Sequence, residues 1–181
     1  MSNPVHEGIL RQGVPTWNEW RRLHPAERPD LSGVNLERAN LHGVNLEEAD
    51  LQYAALAHAD LRASNLIRSD LTGANLERAN LQGANLDHAA LTGAVLNHAC
   101  VVGAVLAGAR LRHADLRWAD LGRAVLRGAS LGQADLLDAN IRSADMTDVR
   151  GVPRRGGDGP VGASGPVKPS RRTDRAPVGR S

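Results

Sequence analysis

From Leu31 to Met146 a large aliphatic residue stands at every fifth position, for 24 rows without an insertion. The residue is Leu except at Val101, Ile141 and Met146, and two positions before it stands a small residue, nearly always Ala, as at Ala39, Ala74, Ala104 and Ala134. On an α-helix five steps of 100° would turn each successive Leu by about 140°, spreading the row around the whole circumference. On a continuous strand five is an odd step, so the row would alternate between the two faces. Neither element can bury it. A chain that runs extended for about three residues and then turns a corner can, because the Leu and the Ala two before it then point the same way. Stacked coils of such sides bury a continuous interior, which is a β-solenoid. Leu36, Leu56, Leu76, Leu96, Leu116 and Leu136 are then structural core.

The second residue after each central Leu alternates between Gly and a bulkier residue over much of the chain, as in Gly73, Arg78, Gly83, His88, Gly93, His98 and Gly103. A ten-residue alternation stays in phase with a four-sided coil of twenty residues and falls out of phase with a three-sided one. The Gly positions suit corners that need positive φ. Asp or Asn before the Leu, as at Asp50, Asn75 and Asp120, reads as a turn and backbone partner.

Runs such as ANLERANLQGANLDHA and HADLRWADLGRA resemble the pentapeptide repeat: Ala, then Asp or Asn, then Leu, then two free positions. The resemblance covers roughly residues 30 to 149 and implies a right-handed quadrilateral β-helix, an all-β solenoid. Twenty-four rows make about six coils, a rod on the order of 29 Å long at about 4.8 Å per coil.

Three segments follow. Residues 1–29 supply a short N-terminal capping helix, expected over about residues 16 to 24 from the capping-box spacing of Thr16 and Glu19 and the stop at Pro25. Trp17, Trp20 and Leu23 fall on one side of it, a lid over the first coil, and the WN-x-WR lead-in resembles that of bacterial members of the family. Residues 30–149 form the β-helix. Residues 150–181, rich in Gly, Pro and Arg, read as a disordered basic tail. No capping helix follows Leu136, Ile141 and Met146, so the last coil is covered by the residues after it or meets a second copy in an end-to-end homodimer.

Charge follows these boundaries: +1 over residues 1–29, −5 over 30–149 and +6 over 150–181, which sum to the chain's +2. With no Phe and one Tyr there is no aromatic platform for single-stranded nucleic acid, and direct nucleic-acid binding through the Arg tail is disfavoured. Residues 1–12 lack a secretory signal pattern, Cys100 is alone, and a cytoplasmic location is expected. No cofactor is implied. His42, His58, His88, His98, His113 and Cys100 are the possible parts of an active site, but their spacing assembles neither a metal site nor a triad, and the chain reads as a non-enzyme.

One stretch breaks the charged pattern. Residues 90–109 carry no formally charged side chain, yet keep the register through Leu91, Leu96, Val101 and Leu106. Their length suggests a transmembrane helix, but the unbroken register assigns them to the array, and no membrane association is expected. Val95, Cys100, Val102, Val105 and Ala107 then point outward, continued by Val125, as a candidate band for an unknown protein partner. That makes the chain a rigid interaction module. The resemblance supplies the alternative, since some family members protect DNA gyrase from inhibitors by imitating duplex DNA. The acidic surface that would serve this comprises Glu37, Glu47, Glu48, Asp50, Asp60 and Asp70, interrupted by Arg62 in the same half of the array and, beyond the uncharged stretch, by Arg112, Arg117, Arg123 and Arg127.

Overall fold

Residues 2–151 are described by a computed structural model. Of the expected disordered tail, residues 150–181, Arg150 is bridged to Ser130 as part of the array, and residues 152–181 lie outside the described residues.

Parallel bridges join each pre-Leu residue to the one twenty positions on, from Asp30↔Asp50 through Val95↔Asp115 to Ser130↔Arg150. The chain therefore returns above itself after four pentapeptides, and each circuit of twenty residues hydrogen-bonds to the next. Leu76 N–H donates to Val95 O at 2.7 Å and Arg78 N–H to Asn97 O at 3.0 Å. We number the sides by their bridging positions: the first side holds 30, 50, 70, 90, 110, 130 and 150, the second begins at 35, the third at 40 and the fourth at 45.

Every corner is the same turn. The carbonyl of the central Leu accepts from the amide three residues on, as in Ala99 N–H to Leu96 O at 3.0 Å, and the residue before that amide has positive φ, the geometry of a type II turn. The Gly alternation has no counterpart in the backbone, because Arg38, Glu48 and His98 adopt φ of 57°, 57° and 59° beside 65° at Gly33. Four sides follow from the twenty-residue bridges, not from a special class of Gly corner. At two positions Gly serves packing as well: the Tyr53 ring lies over Gly73 and the His88 ring over Gly108, where a Cβ would approach ring atoms to 2.6 Å. Nothing in the structure explains the rest of the alternation.

Inside the helix the Leu row is sealed. Leu56, Leu76, Leu96 and Leu116 are wholly buried, and Ala54, Ala74 and Ala94 fill the space between them. Each buried Leu contributes about 1.5–3 kcal/mol. Leu36 and Leu136, nearer the ends, retain slight exposure.

The N-terminal end carries two helices. α1 (Pro4–Leu10) was not expected from the sequence, although Asn3 accepts from Val5 N–H as its N-cap and Pro4 opens it. α2 spans Val14–Leu23, with Gly13 at its N-cap and no side-chain cap. The Thr16–Glu19 capping box does not form, because the helix begins earlier and Glu19 pairs with Arg22. The lid is also redistributed. Trp17 is wholly buried and its Nε1–H donates to Asn45 O at 2.7 Å, Trp20 is half-buried, and Leu23 is exposed. The buried face runs instead through Trp17 and Arg21, one turn apart, and the Arg21 guanidinium donates to the carbonyls of Glu27 and Glu47 and so ties α2 to the first circuit. Burial pulls the Arg21 pKa down, opposed by Glu47, Glu48 and Glu27. His6 is likewise buried: its Nδ1 accepts from Asp30 N–H at 3.0 Å, which puts the ring proton on Nε2, 2.9 Å from the Glu27 carboxylate. At the other end Ala139, Ile141, Ala144, Met146 and Val149 are only partly buried.

Candidate interaction surface

The outer face of each side is organised by its pre-Leu residue. Where this is Asp or Asn, its Oδ1 accepts the amide two residues on, closing an Asx turn at the corner. Glu77 N–H donates to Asn75 at 3.0 Å, Gln82 N–H to Asn80 at 3.1 Å and Asp87 N–H to Asn85 at 3.1 Å. The expected role of these residues as backbone partners is met. The ladder lapses where Ala90, Val95, Cys100, Val105 and Arg110 follow one another, and resumes at Asp115 and Asp120.

Val95, Cys100, Val102, Val105 and Ala107 are all half-buried, as is Val125. They do not form one patch. Val95 belongs to the second side, Cys100 and Val102 to the third, and Val105 and Ala107 to the fourth, where the bridge Val105↔Val125 extends the apolar strip by one circuit. The band thus rings three sides of the rod, and any one flat partner meets only part of it.

A feature the sequence reading missed adjoins it on the second side. Trp118 is 45% exposed and stacks on His98, with ring centroids 5.0 Å apart and planes within 8°. The Arg117 guanidinium lies 5.4 Å from the centre of the Trp118 ring while donating twice to the Asp115 carboxylate, at 2.8 and 2.6 Å. These bonds hold the Asp115 pKa below its usual value. Asn97, beside His98 in the chain, keeps its Oδ1 buried without a partner among the described residues. The twenty-residue spacing of His98 and Trp118 was the available signal: corner residues one circuit apart stack.

The repeat model of the family described as "Pentapeptide repeats" matches eight copies in this chain, over residues 30–66, 59–97, 89–128 and 119–150. The chain belongs to the pentapeptide-repeat family. No curated protein matches it. Among solved structures it is similar to a pentapeptide repeat protein of the Arabidopsis thaliana thylakoid lumen, with 36% identity, 50% of this chain and 63% of that one covered, and a TM-score of 0.49. A pentapeptide repeat protein from the cyanobacterium Cyanothece is 28% identical over 65% of this chain and 84% of its own, with a TM-score of 0.28. The plasmid-mediated fluoroquinolone resistance protein QnrB1 is 18% identical over 64% and 66%, with a TM-score of 0.22. This chain spans less than two thirds of the thylakoid protein's length.

On this pentapeptide-repeat β-helix the candidate acidic residues are dispersed. Asp50 and Asp70 stand on the first side, Glu37 on the second, Asp60 on the third, and Glu47 and Glu48 on the fourth. Arg62 donates to both oxygens of Asp60, at 2.8 and 2.6 Å, and with its backbone amide pulls the Asp60 pKa down to about 2. Arg68 lies 3.6 Å from Glu48. The six residues do not converge on one face, and two of them face an Arg. His58 and His98 lie in the same corner column two circuits apart, and no group of three or more His, Cys, Asp or Glu among the described residues could hold a metal ion. No helix among the described residues is long and apolar enough to cross a membrane.

Proposed function

We propose that this pentapeptide-repeat protein is a non-catalytic, cytoplasmic protein-interaction module: a right-handed rod of six circuits, closed at its N-terminal end by α1 and α2, that offers flat sides to a partner protein. The observation that carries the reading is the second side between circuits 90–109 and 110–129. There the half-buried Val95 is bridged to Asp115, and at the corner of the same side stands the exposed Trp118, stacked on His98 and flanked by Arg117. Trp and Arg held rigidly beside apolar surface are the residues that dominate binding energy at protein interfaces, and here their stacking is in place before any partner arrives.

The DNA-mimic alternative has less behind it. Imitating a phosphate lattice needs sustained negative potential along one surface, whereas the acidic residues occupy four sides and Asp60 and Glu48 face Arg partners.

The test is comparative capture by the full chain. Trp118→Ala, and separately Val102→Arg with Val105→Glu, are expected to leave the melting temperature within a few degrees of the parent. Trp118→Ala should abolish capture of whichever protein the parent retains, and the Val pair should weaken it if the partner wraps onto the third and fourth sides. Unchanged capture by both folded variants would overturn the reading. Retention of gyrase by the parent, lost on reversing Glu47, Glu48 and Asp50 to Lys, would establish the alternative in its place.

A further inference from the structure

The first side of the rod is electrically divided. Its bridging column runs Asp30, Asp50, Asp70, Ala90, Arg110, Ser130, Arg150, and the neighbouring column runs Ser32, Gln52, Thr72, Thr92, Arg112, Gly132. All of its acids precede Ala90 and all of its Arg follow it. The other sides do not sort their charges in this way. On the second, Glu37 neighbours Arg38 and Arg117 is paired with Asp115, and on the fourth Glu48 faces Arg68.

The charges on this side are also uncommitted. Asp70 spends one carboxylate oxygen on the amide of Thr72, at 3.0 Å, and Asp50 spends one on the amide of Gln52, at 3.1 Å, with a long second contact from the Gln52 side chain. Arg110, Arg112 and Arg150 are exposed and make no ion pair among the described residues, unlike Arg117 and Arg127 one circuit level away from Asp135 and Asp145.

We propose that two copies of this chain pair side by side and antiparallel through their first sides. The column fixes the symmetry. A two-fold axis running along the strand direction through Ala90 reverses the rod and keeps each column opposite itself. Asp70 then faces Arg110 of the second copy, Asp50 faces Ser130, and Asp30 faces Arg150, with each contact made twice. In the neighbouring column Thr72 faces Arg112, and Gln52 faces Gly132. The centre, where the two copies meet like with like, holds only the buried Ala90 with Thr92 and Gly93. Small uncharged residues at the axis let the rods approach without placing a charge against itself, and self-complementarity is what an isologous dimer requires. The inner pair of Asp70 with Arg110 carries most of the attraction, since α1 lies beside Asp30 through Asn3 and His6.

Size sets the strength. A side about 29 Å long and roughly 10 Å wide covers about 600 Å² over both copies, well under the roughly 1,200–2,000 Å² of stable interfaces. The dimer is accordingly weak, held mainly by charge, and lost at high salt. This pairing does not rest on the proposed partner site, which occupies another side.

The test is sedimentation equilibrium of the full chain at about 50 mM and about 500 mM salt, with folding of each variant checked by circular dichroism. The parent should dimerise in the low-salt buffer and dissociate in the high-salt one. Asp70→Arg and Arg110→Asp, each alone, should weaken dimerisation about tenfold or more, because two attractive contacts become repulsive. The two single variants mixed together should associate with each other, and the Asp70→Arg/Arg110→Asp double variant should regain self-association. Rescue by mixing cannot come from a folding defect. A parent that stays monomeric at several hundred micromolar in low salt overturns the proposal. So does a dimer indifferent to salt and to the swaps, which would point instead to the partly buried end around Ile141 and Met146.

Discussion

Circuits 30–89 and circuit 90–109 have the same inside and different outsides. Leu76 and Leu96 are equally sealed, Ala74 and Ala94 are equally buried, and the links between circuits are as short in one region as in the other, with Leu76 to Val95 and Leu96 to Asp115 both at 2.7 Å. Outside, every pre-Leu position from Asp30 to Asn85 except Ala55 closes an Asx turn, and none from Ala90 to Arg110 does. The backbone does not notice, since corner φ is 54° at Arg78 and 59° at His98. Fold is carried by the buried row and the backbone ladder, and the outer positions are released for other uses.

The largest expected effect would break the claim that the insides are equivalent. Leu76→Asp and Leu96→Asp should each remove about 1.5–3 kcal/mol of burial and add the cost of an unpaired buried carboxylate. They should unfold the rod to similar extents, whereas Glu77→Ala should change stability by about 0.5 kcal/mol or less. Circular dichroism melting curves of the three variants check it. A mild phenotype for Leu96→Asp alone would mean that the uncharged circuit is locally looser than its neighbours.

The same division explains what could be read from the sequence. A five-residue period can be buried only in a β-solenoid, so the Leu row and its burial are legible before any coordinates, while the twenty-residue return is legible through the resemblance to the pentapeptide repeat, since the Gly alternation that also pointed to it has no counterpart in the backbone. Where no repeat imposes a register, reading falters. α1 and the true start of α2 depend on caps that compete locally, Asn3 and Gly13 against Thr16, and hydrophobicity alone sets Leu23 inward, whereas the buried face runs through Trp17 and the polar Arg21, which donates to two carbonyls. The outward direction of Val95, Cys100 and Val105 is legible. So is their spread over three adjacent sides, which follows from the four-sided count, whereas the stack of Trp118 on His98 was one application of the twenty-residue period away.

An intermediate effect sharpens the contrast between the outsides. The amides of Asn97, Val102 and Ala107 have no side-chain acceptor among the described residues, in contrast to those of Glu77, Gln82 and Asp87. Replacing Asn75, Asn80 and Asn85 together by Val should cost about 0.5–1 kcal/mol per lost bond, partly offset by the strand preference of Val. Grafting Val95→Asn, Cys100→Asn and Val105→Asn should stabilise by a smaller amount. Urea titrations with a common m-value measure both. A graft that destabilises would show that the apolar residues of circuit 90–109 contribute packing beyond what an Asx turn returns.

The smallest effect separates the regions by pH. Arg62 holds the Asp60 carboxyl down to about 2, against an ordinary value of 3.8, and circuit 90–109 has no carboxylate at all. A depressed folded-state pKa means that the contribution of Asp60 is complete above about 4 and is lost as pH falls through about 2. Asp60→Asn keeps the Asx acceptor and removes the charge, so the difference between parent and variant isolates the Arg62 pair. Both side chains are partly solvated, at 28% and 48% exposure, so the difference in melting temperature should be only about 1–2 °C at pH 5 and should shrink to a small fraction of that by about pH 2. Val105→Asn, which introduces no titratable group, should show an offset from the parent that is the same at both pH values. If the Asp60→Asn difference persists unchanged in acid, the pair contributes through packing and not through charge, and the exposed ion pairs of the first three circuits are decoration on a fold that stands without them.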